Sequence, residues 1–277
     1  MTYNDDDIIE EMMKSNQKYF DKIFVLDGSN DKTEEIIRSF DNVKYFLKDQ
    51  DIYPNRKIAD GARQFLIEKA QEMYGKEGWF TLLHGDEIFV DDPNEVAERA
   101  EKAKAERINW HSLNFFLHAS QKETYNPNMP IQEQVIYYNP GTLEIRQFRN
   151  KPNIYYNLNQ VYNVVPTGIG LKTLFDFPIF KHYVTRSITQ KQKKSGGVGA
   201  VRGELSANHK VNLDEVFKDK CSPHFAQTRI YDGSFHELHP KNRPAFFYQW
   251  LAWRHYRPIE WGVWEKPVKA VQKIFRA

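Results

Sequence analysis

The sequence has very little cysteine, with Cys221 as the only one in 277 residues. One cysteine excludes an internal disulfide framework and a thiolate metal cluster, and a reducing cytoplasmic compartment fits best. Long apolar runs are also missing, since no stretch approaches the roughly 20 residues that a membrane-spanning helix needs. Residues 1–4 (MTYN) are followed by three aspartates, which is unlike a signal peptide. These absences predict a soluble cytoplasmic protein.

A large excess of either charge is absent as well. Lysine and arginine number 39 against 37 acidic residues, so the formal net charge is only +2. Nucleic-acid binders usually carry a strong basic excess on one face, and no nucleic-acid partner is therefore expected. The 40% hydrophobic and 14% aromatic content supplies enough material for a packed core in one large domain.

What the sequence does contain is an alternation of helical and strand patterns over residues 1–120. Helices are predicted for 8–20, 31–40, 56–74 and from 92 onward, and strands for 22–27, 43–47, 79–83 and 108–117. Such alternation is typical of a mostly parallel sheet covered by helices, with ligands at the carboxyl ends of the strands. Two strands end in acidic loops, at Asp27 and at Asp86.

The remaining residues are less regular. Residues 121–243 are rich in Asn, Pro and Tyr at first, which favours short antiparallel pieces and loops on the acceptor side of a site. Within them, 191–204 is basic and glycine-rich; it is interpreted as a lid over a bound diphosphate or as a linker. Residues 244–277 form an aromatic-basic tail, interpreted as a helix that packs on the core or one that contacts a membrane surface.

Three segments resemble family 2 glycosyltransferases of the bacterial or phage type. DKIFVLDGSNDKTEEII resembles the strand followed by Asp and Gly-Ser-x-Asp-x-Thr, and LLHGDEIF resembles the strand that ends in the metal-binding Asp-x-Asp motif. FKHYVTRSITQ resembles a downstream His-Tyr-x-x-Arg-Ser segment. The resemblance implies a Rossmann-like GT-A fold with a mostly parallel central sheet, and an inverting, metal-dependent transferase.

The resemblance also implies roles for particular residues. The nucleotide-sugar contacts would be Asn4, Asp5, Asp27, Ser29, Asp31, Asp60, Arg63 and Arg186. Asp86, His84 and His182 would bind Mn²⁺ or Mg²⁺, and the acids assigned to the catalytic step are Glu133, as base, and Glu87. The partners would be a nucleoside-diphosphate sugar and a saccharide or lipid-linked acceptor.

The sequence departs from the family pattern at three places. His84 stands where the family has the first Asp of the metal motif, and the acid expected beside Glu133 is missing. Only residues 1–3 precede the Asn4-Asp5 pair, so the first strand is either unusually short or the chain starts late relative to its relatives.

Structural interpretations remain open for most of these residues. Asp31 has the position of a helix N-cap, and Asp60 and Arg63 fit a solvated helix face. Asp86-Glu87 also fits an acidic turn, His182 a structural histidine, and Glu133 a surface glutamate. The alternative function is a non-catalytic carbohydrate- or partner-binding module. A sugar-phosphate nucleotidylyltransferase fits less well, because its glycine-rich N-terminal signature is absent.

Overall fold

A computed structural model of the chain describes residues 1–48, 56–156, 166–174, 176, 178–188, 190, 216–219 and 228–234. The chain divides into two compact units, Met1–Asp232 and Gly233–Ala277, and nearly all described residues belong to the first. The segments 191–204 and 244–277, for which a lid and a membrane contact were considered, lie outside the described residues. None of the helices in the described part is both long and apolar enough to cross a bilayer.

Five α-helices are described. They are α1 (Ile9–Asn16), α2 (Thr33–Arg38), α3 (Arg56–Tyr74), α4 (Pro93–Lys102) and α5 (Ile131–Gln134). The helix predicted over 56–74 is confirmed by α3. The start predicted at Asp92 is also confirmed, because the Asp92 carboxylate accepts a hydrogen bond from the Asn94 amide at 2.8 Å and Pro93 occupies the first turn.

The strands form two sheets. They are β1 (Ile23–Asp27), β2 (Val43–Lys48), β3 (Trp79–Thr81), β4 (Glu87–Phe89), β5 (Arg107–Phe116), β6 (Tyr137–Arg149), β7 (Thr173–Leu174), β8 (Ile179–Thr185) and β9 (Arg229–Ile230). β1 and β2 make a small parallel sheet. The other seven form a second sheet with the order β3-β6-β5-β8-β4, in which β7 pairs with β5 and β9 with β6.

The predicted Rossmann-like GT-A fold with a mostly parallel central sheet is wrong. In the described residues the large sheet is mainly antiparallel: β3 with β6, β5 with β6, β4 with β8 and β6 with β9. Only β8 and the short β7 run parallel to β5. The alternation of helix and strand led to this error because it holds only for the first strands, whereas β6, the longest strand, lies where short pieces and loops were expected.

The core of the large sheet is built around Trp110, on β5. Its ring lies 4.5 Å from the ring of Phe89 and packs among buried apolar residues of α4 and β8, while its indole N–H donates to Gln147 Oε1 at 3.0 Å. β5 pairs with β6 on one side and β8 on the other, so residues 107–116, 137–149 and 179–185 share one sheet. Strand pairing therefore joins β5, from the segment 1–120, to the described strands that follow residue 120.

Residues 1 and 2 lie between the two sheets. Thr2 forms a parallel bridge with Asp27, at the end of β1, and the Met1 amino group donates to the Leu83 carbonyl at 2.9 Å. The Gly85 amide in turn donates to the Met1 carbonyl at 3.1 Å. Met1 and Thr2 therefore bridge the carboxyl end of β1 and the segment that follows β3, and they hold these two parts next to each other.

Candidate functional site at two acidic strand ends

The first acidic strand end is a closed network around Asp27. One carboxylate oxygen of Asp27 accepts from the Thr2 hydroxyl at 2.8 Å and from the hydroxyl and amide of Ser29. The other oxygen accepts from Lys48 Nζ at 2.8 Å. Asp27 and Ser29 have no exposed surface. Asp27 therefore organises the loop around it, and a ligand meets the loop rather than this carboxylate.

The loop after β1 interlocks with residues 2–5. The Asn4 amide donates to Ser29 Oγ at 2.8 Å, and Asn4 Oδ1 accepts from the Asn30 amide at 2.9 Å. The Asp5 amide donates to Thr33 Oγ1 at 2.9 Å. Asn4 has a φ of 53°, in the left-handed region that asparagine tolerates better than most residues. These contacts bring Asn4, Asp5 and Ser29, three of the residues predicted to contact a nucleotide sugar, into one region.

The second acidic strand end is an ion cluster centred on Arg186. Its guanidinium contacts Asp5 Oδ1 at 2.5 Å, Asp7 Oδ1 at 3.0 Å and Asp86 Oδ2 at 3.1 Å. Arg186 is wholly buried, and the surrounding carboxylates raise its pKa although burial acts in the opposite direction. Since its donors are directed to carboxylates, Arg186 positions these acids, and a phosphate would have to displace them to reach it.

Gly85 joins the two strand ends. A Cβ added at this glycine would lie 2.5 Å from Asp5 Oδ2 and 3.0 Å from Thr2 Cγ2. The glycine therefore permits the close approach of residues 2–5 to the loop before β4. Through this contact the Asp27 network and the Asp86 cluster become one continuous polar region.

Two histidines border Asp86 on its accessible side. His182 Nε2 lies 3.8 Å from Asp86 Oδ1, and the side chains are 25% and 12% exposed. His84, with 36% of its side chain exposed, lies with Nδ1 3.4 Å from Glu87 Oε1. Partial burial, followed by the charge of Arg146, holds the pKa of His84 well below its usual value. His84 is therefore neutral at physiological pH, the form in which imidazole binds metals.

The predicted metal ligands are brought together only in part. Within the described residues, no group of three or more His, Cys, Asp and Glu side chains has the arrangement of a metal site. Asp86 and His182 do form a pair. Their 3.8 Å separation lies between the about 3.0 Å of adjacent ligands and the about 4.2 Å of opposite ligands in an octahedral Mg²⁺ site, so a shared cation would require the two side chains to shift and further oxygen ligands such as those of a phosphate.

The two predicted acids occupy different surroundings. Glu87 is 1% exposed, forms a buried ion pair with Arg146, and accepts from the His84 amide at 2.9 Å. Burial raises the pKa of Glu87, and Arg146 offsets this only partly. Glu133 is exposed on α5, and in the described part of the chain no hydrogen bond or ion pair connects its side chain with the two strand ends. Glu87 thus supports the loop from inside.

The other predicted nucleotide contacts lie around the Asp27 loop and on α3. Asp31 accepts from the amide and the hydroxyl of Thr33 at 3.0 and 2.6 Å, one position ahead of Lys32, which is the N-cap of α2. Arg63 lies on α3, beside a cavity that also contacts Met1. Asp60 is on the same helix, and its side chain lies outside the described residues.

Sequence reasoning missed four residues that complete these clusters. Thr2 and Lys48 hold Asp27, Asp7 pairs with Arg186, and Ser187 donates to Asp7 Oδ2 at 2.5 Å. Lys48 could have been found, since it ends the strand after β1 and is the parallel register partner of Asp27. Asp7 had no such signal, because its partners are about 180 positions away.

Comparisons of the chain with protein-family models and with curated proteins give no match.

Proposed function

We propose that the protein is a glycosyltransferase that moves a sugar from a nucleoside-diphosphate sugar to an acceptor hydroxyl. The observation that carries this proposal is that residues 2–5 join the Asp27 loop to the Asp86 loop in one polar region. The motif resemblance assigns the nucleotide to these same two loops. A site that binds both ends of a nucleotide sugar requires such proximity.

In this proposal the nucleoside lies against the loop of residues 28–31 and the diphosphate near Asp86 and His182. A divalent cation, Mn²⁺ or Mg²⁺, would be held by Asp86 Oδ1 and His182 Nε2 and would supply charge for the leaving diphosphate. The role of Arg186 is to fix Asp86 by binding its other oxygen. His84 borders the same loop, and because it is neutral it adds no positive charge beside Asp86.

The acceptor in this proposal is a saccharide or a lipid-linked saccharide. The transferase would work in the cytoplasm, with residues 244–277 as a peripheral contact to the inner membrane face, because the tail combines tryptophans with basic residues. Inversion at the sugar needs a carboxylate base near the acceptor hydroxyl. Glu133 remains the residue proposed for this role.

The test is a thermal-shift panel of UDP-, GDP- and TDP-sugars, each with and without Mn²⁺. Donor binding is expected to raise the Tm, with Mn²⁺ increasing the shift, and His182→Ala is expected to remove the Mn²⁺-dependent part. His182 is the best target because it lies outside the Arg186 ion cluster. Glu98→Ala, at an exposed position of α4, is the matched control and should shift like the wild type. Absence of a shift with every donor contradicts the proposal.

A non-catalytic carbohydrate- or partner-binding module is the second candidate. It is favoured by the exposed position of Glu133 and by the commitment of Arg186 to three carboxylates. The two functions differ in turnover. A transferase releases nucleoside diphosphate from its donor, and Glu133→Gln should reduce that release by at least about 10²-fold. A module binds glycan without releasing nucleoside diphosphate.

A further inference from the structure

The last residue of α1 binds the outer edge of β4, the strand that follows Asp86. Within the described part of the chain, β4 ends the large sheet and pairs only with β8. Asn16 is wholly buried, and its Nδ2 donates to the Glu87 carbonyl at 2.9 Å. Its Oδ1 accepts from the Phe89 amide at 3.0 Å. One side chain therefore binds both backbone groups that β4 directs away from β8.

These two bonds have the pattern of strand pairing. A residue in a parallel neighbouring strand donates to one carbonyl and accepts from the amide two positions further on. The side chain of Asn16 does the same with Glu87 and Phe89. The planar amide of asparagine carries the donor and the acceptor that this pattern needs. Asn16 thus takes the place of a neighbouring strand, and the buried edge of β4 keeps its hydrogen bonds.

α1 is attached to the segment around Asp86 at both of its ends. Ahead of its first turn, Asp5 and Asp7 bind Arg186, which binds Asp86. At its last turn Asn16 binds β4 directly. The helix has 8 residues and a length of about 12 Å. It therefore spans the distance between the ion cluster and the edge of the sheet.

The bond to Glu87 bears on Asp86 because the two residues are consecutive. The Asp86 carbonyl accepts from the Tyr183 amide at 2.9 Å, and Glu87 is the register partner of His182. The backbone here is thus held by β8 on one edge and by Asn16 on the other. Because the backbone is fixed on both edges, the shift that Asp86 and His182 need to share a cation is confined to their side chains.

We propose that Asn16 is a positioning residue, whose side-chain amide braces β4 and thereby sets the backbone that presents Asp86 to a divalent cation. The cation rests on the proposed glycosyltransferase function, whereas the bracing of β4 does not. Loss of the amide loosens the segment 84–89. The network around Asp27 is left intact, since its hydrogen bonds come from Thr2, Ser29 and Lys48.

Hydrogen exchange of the free protein tests the bracing. Asn16→Leu keeps the size of the side chain and removes both bonds, and Met12→Leu, on the same buried face of α1, is the matched control. Asn16→Leu should speed exchange at the amides of Phe89 and Tyr183 by about 10-fold, while β5 amides that pair with β6 keep their protection. The Tyr183 amide reports on Asp86, because it binds the Asp86 carbonyl and not Asn16. Unchanged exchange at Tyr183 would overturn the proposal.

Asn16→Asp is a second variant, which keeps the shape of the side chain in case Asn16→Leu does not fold. An ionised carboxylate repels the Glu87 carbonyl, whereas a protonated carboxyl can donate to it as the amide does. Burial raises the pKa of the introduced carboxyl. The exchange rate at Tyr183, divided by the wild-type rate at the same pH, should be high at pH 8 and close to one at about pH 5.5. This division also removes the titration of Glu87, and a ratio that is the same at both pH values would overturn the donor role.

Mn²⁺ alone tests the link to the cation. The EPR signal of the free ion gives a Kd for each protein, and Asn16→Leu should bind Mn²⁺ about 10-fold more weakly than Met12→Leu. Equal affinities would overturn the positioning role. A wild-type protein that binds no Mn²⁺ would overturn the cation site of the proposed function, and the exchange measurements would still decide whether Asn16 braces β4.

Discussion

The two acidic strand ends differ in the origin of their counter-charges. Asp27 is held by Lys48, 21 positions away on the neighbouring strand, whereas Asp86 is held by Arg186, 100 positions away. In the local network both carboxylate oxygens of Asp27 accept hydrogen bonds, and Asp27 has no exposed surface. The long-range cluster leaves one side of Asp86 accessible beside His182. Of the two aspartates, only Asp86 keeps part of its side chain exposed.

The largest expected effect is from removal of the shared cation of the second cluster. Arg186→Met leaves Asp5, Asp7 and Asp86 close together without their counter-charge, and the free energy of unfolding should fall by about 3–5 kcal/mol. Urea denaturation measures this loss. Arg186→Lys, which keeps the charge but not the planar fork, should recover only part of it. A loss below about 1 kcal/mol would contradict the central position of Arg186.

Asparagine substitutions at the two strand ends test the comparison itself. Asp27→Asn should lower the free energy of unfolding by about 2 kcal/mol, because a buried carboxylate that serves Lys48 and two hydroxyls loses its charge. Asp86→Asn should change it by less than about 1 kcal/mol, since Arg186 retains two other carboxylates. Denaturant unfolding of both variants under identical conditions measures the two losses. A larger loss for Asp86→Asn than for Asp27→Asn would refute the proposed difference.

The junction between the two ends is sensitive to one methyl group. Gly85→Ala places a Cβ against Asp5 Oδ2 and Thr2 Cγ2, and it should destabilise the protein by about 1–2 kcal/mol. The Tm and the urea midpoint of the variant and the wild type measure this destabilisation. The same variant should weaken donor binding by displacing residues 2–5, and unchanged stability with unchanged binding would show that the two loops need no close contact.

A further expected effect is a pH dependence of stability at Met1, between the two ends. The folded pKa of the Met1 amino group, about 6, is below its ordinary value of about 8.0, so the unfolded chain binds more protons between these values. The free energy of unfolding should therefore rise from pH 6 to pH 8, by up to about 2 kcal/mol. Intact Met1, verified by mass spectrometry, is required.

N-terminal acetylation is the control for this titration. It removes the charge, and the difference in stability between the acetylated and free proteins should shrink as the pH rises from 6 to 8. Comparing the two proteins isolates Met1 from His84, whose depressed pKa acts in the same direction below about pH 6.5. A difference that does not vary with pH would mean that the Met1 amine is not buried when the protein folds.

Local patterns predicted the elements of the first half well. The strand that ends at Asp27, the helix over 56–74 and the helix that begins after Asp92 follow from short-range rules on apolar spacing and capping, and each is present. Asp86, in contrast, lies in the loop between β3 and β4. Glu133 shows the limit of such reasoning. A motif without its second acid cannot fix where the side chain lies, and the structure places it on an exposed turn of α5.

The sequence by itself determined that β1 ends in the carboxylate of Asp27, because an apolar run followed by Gly, Ser and Asp specifies a buried strand and a tight polar turn. Only the tertiary structure decided which carboxylate stays accessible. Arg186 meets Asp5, Asp7 and Asp86 because β8 pairs with β5 and β4, and strand pairing between distant segments leaves no periodic trace in the sequence. For the same reason the antiparallel order of the large sheet was not predictable from local propensity.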